Sequence, residues 1–284
     1  MIDGNSTQQR IAAQANAFKV AAIQMASGPN VVGNLSEARR LIAKAAEQGA
    51  RLVVLPEFFA IMGMTDLDKL KVGEKIGNGP IQTFLSELAR RHKIWLVGGS
   101  IPLATDNPEK VSNSCLVFDE QGQQVARYDK MHLFNFELGN ENYNETQTIV
   151  PGNQVVVVDS PFGRIGLAIC YDLRFPELFR AMKNVDMIVL PSAFTETTGK
   201  VHWEVLVRAR AIENLAYVVA AAQGGYHVNG RETHGNSMIV DPWGRVLDRL
   251  PRGSGVVLAD LNLSYQTNLR ASLPALGNRT LYHC

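Results

Sequence analysis

Residues 164–177, Arg-Ile-Gly-Leu-Ala-Ile-Cys-Tyr-Asp-Leu-Arg-Phe-Pro-Glu, constrain this chain more than any other stretch. The apolar run 164–169 reads as a buried strand. It ends on Cys170, and Pro176 marks the first turn of a helix, where a missing amide hydrogen costs nothing. A thiol therefore sits at a strand-to-helix elbow. The free amides at such an elbow favour negative charge, so a thiolate or an oxyanion is stabilised there. The competing reading is a buried structural cysteine, since free cysteines are among the most buried residues.

The rest of the chain supplies layers around that elbow. Residues 18–25 and 51–55 read as strands. Between them Asn34 is expected to cap a helix that runs to Gln48 and closes on Gly49, with Leu35, Ala38, Leu41, Ile42 and Ala45 on one face. Gly79-Pro80 opens a helix to His92, and 94–98 is a third strand. Residues 111–118 and 124–128 form a hairpin around Glu120-Gln121-Gly122. Residues 135–147 are polar and without period. Strands follow at 155–159, 164–169, 187–190, 216–222, 236–240, 245–247 and 255–261, with helices at 176–182 and 200–214. Asp241-Pro242-Trp243-Gly244 is a turn, and the tail after Asn262 has little pattern. Strands and helices alternate before hairpins intervene, which predicts an α/β layered fold with mixed sheets in one domain, 18–284. Residues 1–17 are polar, lack the pattern of a signal peptide, and read as a disordered leader.

Composition narrows the function classes. A net charge of +1 gives no footprint for nucleic acid or a membrane surface, and no apolar run approaches a membrane span. Cys115, Cys170 and Cys284 are odd in number and far apart, which argues against a disulfide framework and for a reducing, cytoplasmic setting. No His-Glu-x-x-His or Cys-x-x-Cys spacing is present, so no metal site is expected.

Four more residues carry chemistry. Glu57 follows an apolar strand and Pro56, and Phe58 and Phe59 set it against an apolar wall that suits a general acid or base. Its plain alternative is a surface loop glutamate. Lys130 lies among Met131, Leu133 and Phe134; buried there, it needs a carboxylate partner, and otherwise it snorkels from an edge. Glu145, in the polar segment, is a candidate for that partner. His132 offers a rival Cys-His arrangement for a thiol hydrolase.

Taken together, Leu-Pro-Glu57-Phe, Asp-Lys130-Met-His-Leu-Phe and Cys170-Tyr-Asp-Leu-Arg-Phe-Pro-Glu resemble the nitrilase (carbon–nitrogen hydrolase) superfamily, over nearly the whole chain from Phe18 to Arg279. Ser192-Ala-Phe-Thr195, Thr198-Gly199, His202-Trp-Glu204, the 208–214 segment and Asp241-Pro-Trp-Gly resemble its amidase branch, that of deaminated glutathione amidase and ω-amidase. The resemblance implies an αββα sandwich and a triad in which Glu57 is the base, Lys130 the oxyanion partner and Cys170 the nucleophile. Glu145 matches the second glutamate, six residues before Pro151-Gly152. The Tyr171 backbone NH completes the oxyanion site, and no cofactor is required. A small carboxamide would yield a carboxylic acid and ammonia through a thioester. Deaminated glutathione is the expected substrate, with α-ketoglutaramate or another small amide or N-carbamoyl compound as alternative. Arg174, Phe194 and Thr195 are candidate substrate contacts; Arg174 alternatively pairs with Glu177. A homodimer or higher homo-oligomer is implied as well, with the C-terminal tail reaching across. A non-catalytic scaffold is the alternative of a different class. The sequence departs from the branch at Gly235-Asn236-Ser237, where Gly-His-Ser is usual.

Overall fold

The structure, a computed structural model, describes residues 17–139 and 141–280. The proposed leader, apart from Ala17, and Cys284 lie outside the described residues.

Strand β1 (Ala17–Gln24) leads into α1 (Val31–Glu47), β2 (Leu52–Val54), the short α2 (Asp68–Lys71) and α3 (Pro80–His92). Next come β3 (Trp95–Val97), β4 (Ile101–Ala104), β5 (Val111–Phe118) and β6 (Gln124–Asp129). A small hairpin, β7 (Asn135–Leu138) and β8 (Glu141–Asn144), precedes a 3-10 turn, Glu145–Gln147. The second half holds β9 (Val157–Ser160), β10 (Gly163–Leu167), α4 (Pro176–Ala181), β11 (Met187–Ser192), α5 (Glu196–Asn214) and β12 (Tyr217–Ala222). It closes with β13 (Gly224–Tyr226), β14 (Glu232–His234), β15 (Ser237–Val240), β16 (Val246–Leu250), β17 (Gly255–Asn262) and α6 (Leu263–Ser272).

Among the described residues two large sheets form. One has the order β17-β1-β2-β3-β5-β4, with β6 on β5; the other runs β16-β15-β12-β11-β10-β9. β1, β2 and β3 are mutually parallel, as are β10, β11 and β12. Strands buried on both faces are apolar throughout, and the period of two sorts their side chains. Val20, Ala22, Leu52, Val54, Trp95 and Val97 face the second sheet, in one core with Ile165, Leu167, Met187 and Val189. Ala21, Ile23, Val53 and Leu96 point the other way, onto Leu41 and Ile42 of α1 and Phe84, Leu85 and Leu88 of α3. Trp203, Val207 and Ala211 of α5, with Leu178 and Phe179 of α4, cover the second sheet. The layers are α-β-β-α, as the resemblance implied.

Three local expectations are corrected. The cap of α1 is Asn30, whose Oδ1 accepts from Gly33 N at 3.1 Å. Asn34 is inside the helix and buried, and its amide ties Gly28 to the Ala60 carbonyl. The polar segment 135–147 is the β7–β8 hairpin and a 3-10 turn rather than irregular chain. The tail after Asn262 forms α6, anchored by polar side chains: Gln266 Nε2 donates to the carbonyls of Asp186 and Leu215, and Arg270 to those of Leu215 and Val185.

Candidate active site

Both sheets aim the carboxyl ends of their parallel strands at one place, the position where open α/β sheets bind ligands. From β2 the chain passes through Leu55 and Pro56 to Glu57, whose side chain is 1% exposed. Its backbone is pinned on both sides. The Glu57 carbonyl accepts from Gln223 Nε2 at 3.0 Å, and Phe58 N donates to Ser100 Oγ at 3.2 Å. Phe58 takes φ 54°, and Gly99 is required because a Cβ there would strike the Pro56 carbonyl oxygen.

Lys130 follows β6. Its amide donates to the Asn113 carbonyl and its carbonyl accepts from Gly152 N, each at 2.9 Å. Gly152 lies so close to the Asp129 carbonyl that a Cβ has no room. The lysine side chain is fully buried, its Nζ 2.9 Å from Glu57 Oε1 and 3.1 and 2.8 Å from the two Glu145 oxygens. Glu145 is held in turn by Phe134 N, which donates to Oε2 at 2.7 Å. Asn113 Nδ2 donates to Glu57 Oε1 at 2.9 Å. Burial works against the ammonium charge, but the carboxylates of Glu145 and Glu57 outweigh it and hold Lys130 protonated, well above its ordinary range. The snorkelling alternative for Lys130 and the surface alternative for Glu57 are both excluded by this burial.

Cys170 opens a 3-10 turn, Cys170–Arg174, in the left-handed conformation at φ 49°. For a residue with a Cβ that conformation costs about 1–2 kcal/mol. The buried carboxylate of Asp172 holds the turn. Its Oδ2 accepts from Ile169 N at 2.8 Å and Tyr128 OH at 2.7 Å, and its Oδ1 accepts from His132 N at 3.1 Å. His132 Nδ1 also lies 2.7 Å from Oδ1, and the imidazole stacks on Phe175. His132 thus braces the elbow, and the sulfur has other partners. The groups that bear on the Cys170 sulfur are the Glu57 carboxylate, the Lys130 ammonium and the Ala193 backbone. Burial, then the Glu57 charge, push the thiol well above its usual range, while the Lys130 charge pulls the other way.

A narrow pocket over the sulfur is lined by Phe134, Tyr171, Arg174, Ala193, Phe194, Thr195 and Thr198. Arg174, Phe194 and Thr195 therefore do converge on Cys170. Arg174 does not pair with Glu177. Its guanidinium lies over the rings of Tyr171 and Phe194, with Nη1 3.2 Å from His202 Nδ1. Thr195 spends its hydroxyl as the cap of α5, accepting from Thr198 N at 3.3 Å. Asn236 takes φ 53°, a conformation asparagine tolerates. Its side-chain amide contacts His234, its backbone carbonyl accepts from Trp203 Nε1 as that of any residue could, and it does not line the pocket over Cys170. Sequence reasoning missed the roles of Asp172, Asn113 and Gln223. A polar residue inside a fully buried strand, as Asn113 is in β5, was the available signal.

The chain is similar to known proteins over most of its length. The carbon-nitrogen hydrolase family model matches residues 19–271. A deaminated glutathione amidase of Synechocystis is 40% identical over 268 residues, 92% of this chain and 98% of that protein. The Homo sapiens deaminated glutathione amidase is 39% identical over 92% of this chain and 81% of its own length. Among solved structures, the C. elegans NitFhit protein superposes with a TM-score of 0.87 at 37% identity, covering 93% of this chain and 65% of that one. Saccharomyces cerevisiae Nit3, described as a member of branch 10 of the nitrilase superfamily, gives 0.83 at 31% identity, covering 93% and 97%. With the family model spanning nearly the whole chain, and a four-layer fold that places Glu57, Lys130 and Cys170 at one site, this protein belongs to the carbon–nitrogen hydrolase family.

Proposed function

We propose that this carbon–nitrogen hydrolase is an amidase acting on deaminated glutathione, with Cys170 as nucleophile, Glu57 as general base and acid, Lys130 as electrostatic partner and Glu145 as the group that keeps Lys130 in place. One observation carries the assignment of roles: a buried thiol whose neighbouring charges are a buried carboxylate and the buried ammonium tied to it at 2.9 Å. Cys170 gives its proton to Glu57 as the C–S bond forms at the amide carbonyl. The tetrahedral oxyanion is met by the Lys130 ammonium and the Tyr171 amide at the start of the turn. A single such donor typically contributes about 2.7–4 kcal/mol of barrier reduction. The C–N bond then breaks and Glu57 returns the proton to the departing nitrogen. Water attacks the thioester, Glu57 takes its proton, and that proton goes back to the sulfur as the acid leaves. With deaminated glutathione the departing nitrogen is the amine of a dipeptide; with a primary amide it is ammonia.

The names of the relatives support the substrate, and Arg174 supports an anionic acyl half. Among the described residues no carboxylate lies within ion-pair range of Arg174, and its guanidinium rests against two aromatic faces beside the nucleophile. A second reading, ω-amidase action on α-ketoglutaramate, draws on the narrowness of the pocket over Cys170. A panel of deaminated glutathione, α-ketoglutaramate, simple amides, N-carbamoyl amino acids and nitriles, with kcat/KM for each, decides. Deaminated glutathione should lead. A tenfold or greater lead for α-ketoglutaramate moves the assignment to ω-amidase, and turnover of none of them removes the amidase reading.

Two further features belong to the same proposal. Val201, Val205 and Ile212 of α5, with Trp243 and Leu247 beside it, expose large apolar side chains that suit a homodimer contact. Cys115 and Cys170 are both free and buried, which suits a reducing compartment such as the cytoplasm.

A further inference from the structure

Beside the narrow pocket over Cys170 lies a second, larger cavity of about 590 Å³, which the chemistry described so far does not use. Its walls come from the loop after β2 (Phe58, Met62), from α2 (Lys69), from β8 (Tyr143) and from the turn between β13 and β14 (Arg231). Phe58 and Met62, which line this cavity, pack in one small apolar cluster with Ala193. Phe58 follows Glu57 in the chain, and Ala193 lines the pocket over Cys170. The cavity is therefore lined by the residue next to Glu57, whereas Arg174 lines the pocket over Cys170.

Arg231 is the unexplained residue there. Its guanidinium lies 4.5 Å from the centre of the Tyr143 ring and acts on that phenol, and Nη1 reaches the Met62 sulfur at 3.8 Å. Nε is buried and has no hydrogen-bond partner among the described residues. No carboxylate lies within 4.0 Å of it among the described residues, although arginine elsewhere in this chain is paired repeatedly. A partly buried cation with unspent donors is costly unless an anion completes it, and a guanidinium matches a carboxylate with two parallel bonds. Lys69, held by Thr148 Oγ1 and Asp66, lines the same cavity over the Phe58 ring. The cavity's own carboxylates do not fill the role. Asp66 faces Lys69 at 3.3 Å, Glu232 is tied to Arg252 at 2.7 Å, and Glu141 lies on the hairpin at the rim.

Deepening the reading under Proposed function, and resting on it, we infer that Arg231, assisted by Lys69, binds a carboxylate carried by the amine half of the substrate, while Arg174 serves the acyl half. The enzyme would then select amides with an acidic, peptide-like leaving group over primary amides. Deaminated glutathione has this form, with a carboxylate at each end of the molecule and the scissile amide between them. α-Ketoglutaramate lacks the second carboxylate and leaves this cavity empty.

The test uses three compounds with the full-length enzyme: the 5-amide of 2-oxoglutarate with alanylglycine, the same compound ending in a carboxamide, and 2-oxoglutaramate. Wild type should prefer the free carboxylate over its carboxamide by tenfold or more in kcat/KM, mainly through KM. In Arg231→Gln that preference should fall below threefold. Arg231→Lys should recover part of it, and Lys69→Gln should show an intermediate loss. Melting curves of the variants identify any that fail to fold, and the within-variant ratio does not depend on the fraction active. Equal use of the two peptides by wild type, or an unchanged ratio in Arg231→Gln, overturns the inference. Hydrolysis of 2-oxoglutaramate alone overturns it while leaving an amidase, and hydrolysis of none overturns the amidase reading itself.

Discussion

Replacing Glu145 with glutamine is the sharpest probe of the charge arrangement around Lys130. In the wild-type protein the ammonium has two anionic partners. Glu145 meets it with both oxygens, at 3.1 and 2.8 Å, and Glu57 with one, at 2.9 Å. The Lys130 side chain is completely buried and that of Glu145 is 13% exposed, so water screens little of this interaction. Glutamine keeps the shape and one acceptor, but loses the charge. Lys130 then leans on Glu57 alone, and the electron pairs that should receive the Cys170 proton are committed to the lysine. Complete loss of a buried ionic partner costs about 3–5 kcal/mol. With one acceptor and Glu57 retained, about 2–3 kcal/mol is reasonable, the range of a hydrogen bond to a charged group. Expressed in the barrier, that is roughly a 30- to 150-fold loss of kcat. Initial rates with the preferred amide give kcat and KM, and the rate of Cys170 alkylation by iodoacetamide reads proton removal independently of substrate. Both rates should fall together, with KM changed little. A kcat within threefold of wild type, with unaltered alkylation, would refute the argument that Glu145 keeps Glu57 free to act as base.

Two other outcomes follow from the same contacts. Lys130→Met should reduce turnover as far as Cys170→Ala does, whereas His132→Ala should be milder, because His132 bonds Asp172 and not the thiol; steady-state rates showing the reverse order would favour a Cys-His mechanism. His227 is buried, its Nδ1 2.7 Å from the Ser27 carbonyl and its Nε2 2.8 Å from Thr233 Oγ1, and burial lowers its pKa below the usual value. The neutral ring is therefore the folded form, so its contribution is complete above about pH 6.5 and is lost as pH falls through that value, by at most about 1.4 kcal/mol per pH unit. Melting temperatures from pH 8 to pH 5 should fall more steeply for wild type than for His227→Gln, and parallel curves would count against this linkage.

Much of the fold was legible because apolar alternation and turn chemistry decide it. The buried strands around Val20, Val53 and Ile188 were found for that reason, as was the helix opened by Pro80. Glu57 and Cys170 each follow an apolar strand, but Lys130 follows the mixed strand β6, and it was the resemblance rather than any periodicity that grouped the three residues. What escaped was held together by polar contacts, which leave no period in a sequence. Helix α6 docks through Gln266 and Arg270 onto backbone carbonyls, and the β7–β8 hairpin carries polar residues on a partly exposed ribbon. Asn34 matched the pattern of a helix cap, but tertiary contacts to Gly28 and Ala60 claimed its side chain and left Asn30 the cap. Arg174 and Glu177 had the spacing of a helical ion pair, yet the 3-10 turn and the aromatic faces of Tyr171 and Phe194 give the arginine a different neighbourhood.

The proposed base and nucleophile belong to different sheets: Glu57 and Lys130 follow strands β2 and β6 of one, Cys170 and Ala193 follow strands β10 and β11 of the other. Neither half of the sandwich is reactive by itself. A chain in which one sheet has formed and the other has not carries an ordinary thiol with no base beside it, and is chemically silent toward the amides around it. On the proposed mechanism, hydrolysis therefore requires the two faces to be locked in register. It should also be the first property to fail when the sheets slip, ahead of any loss of strands or helices.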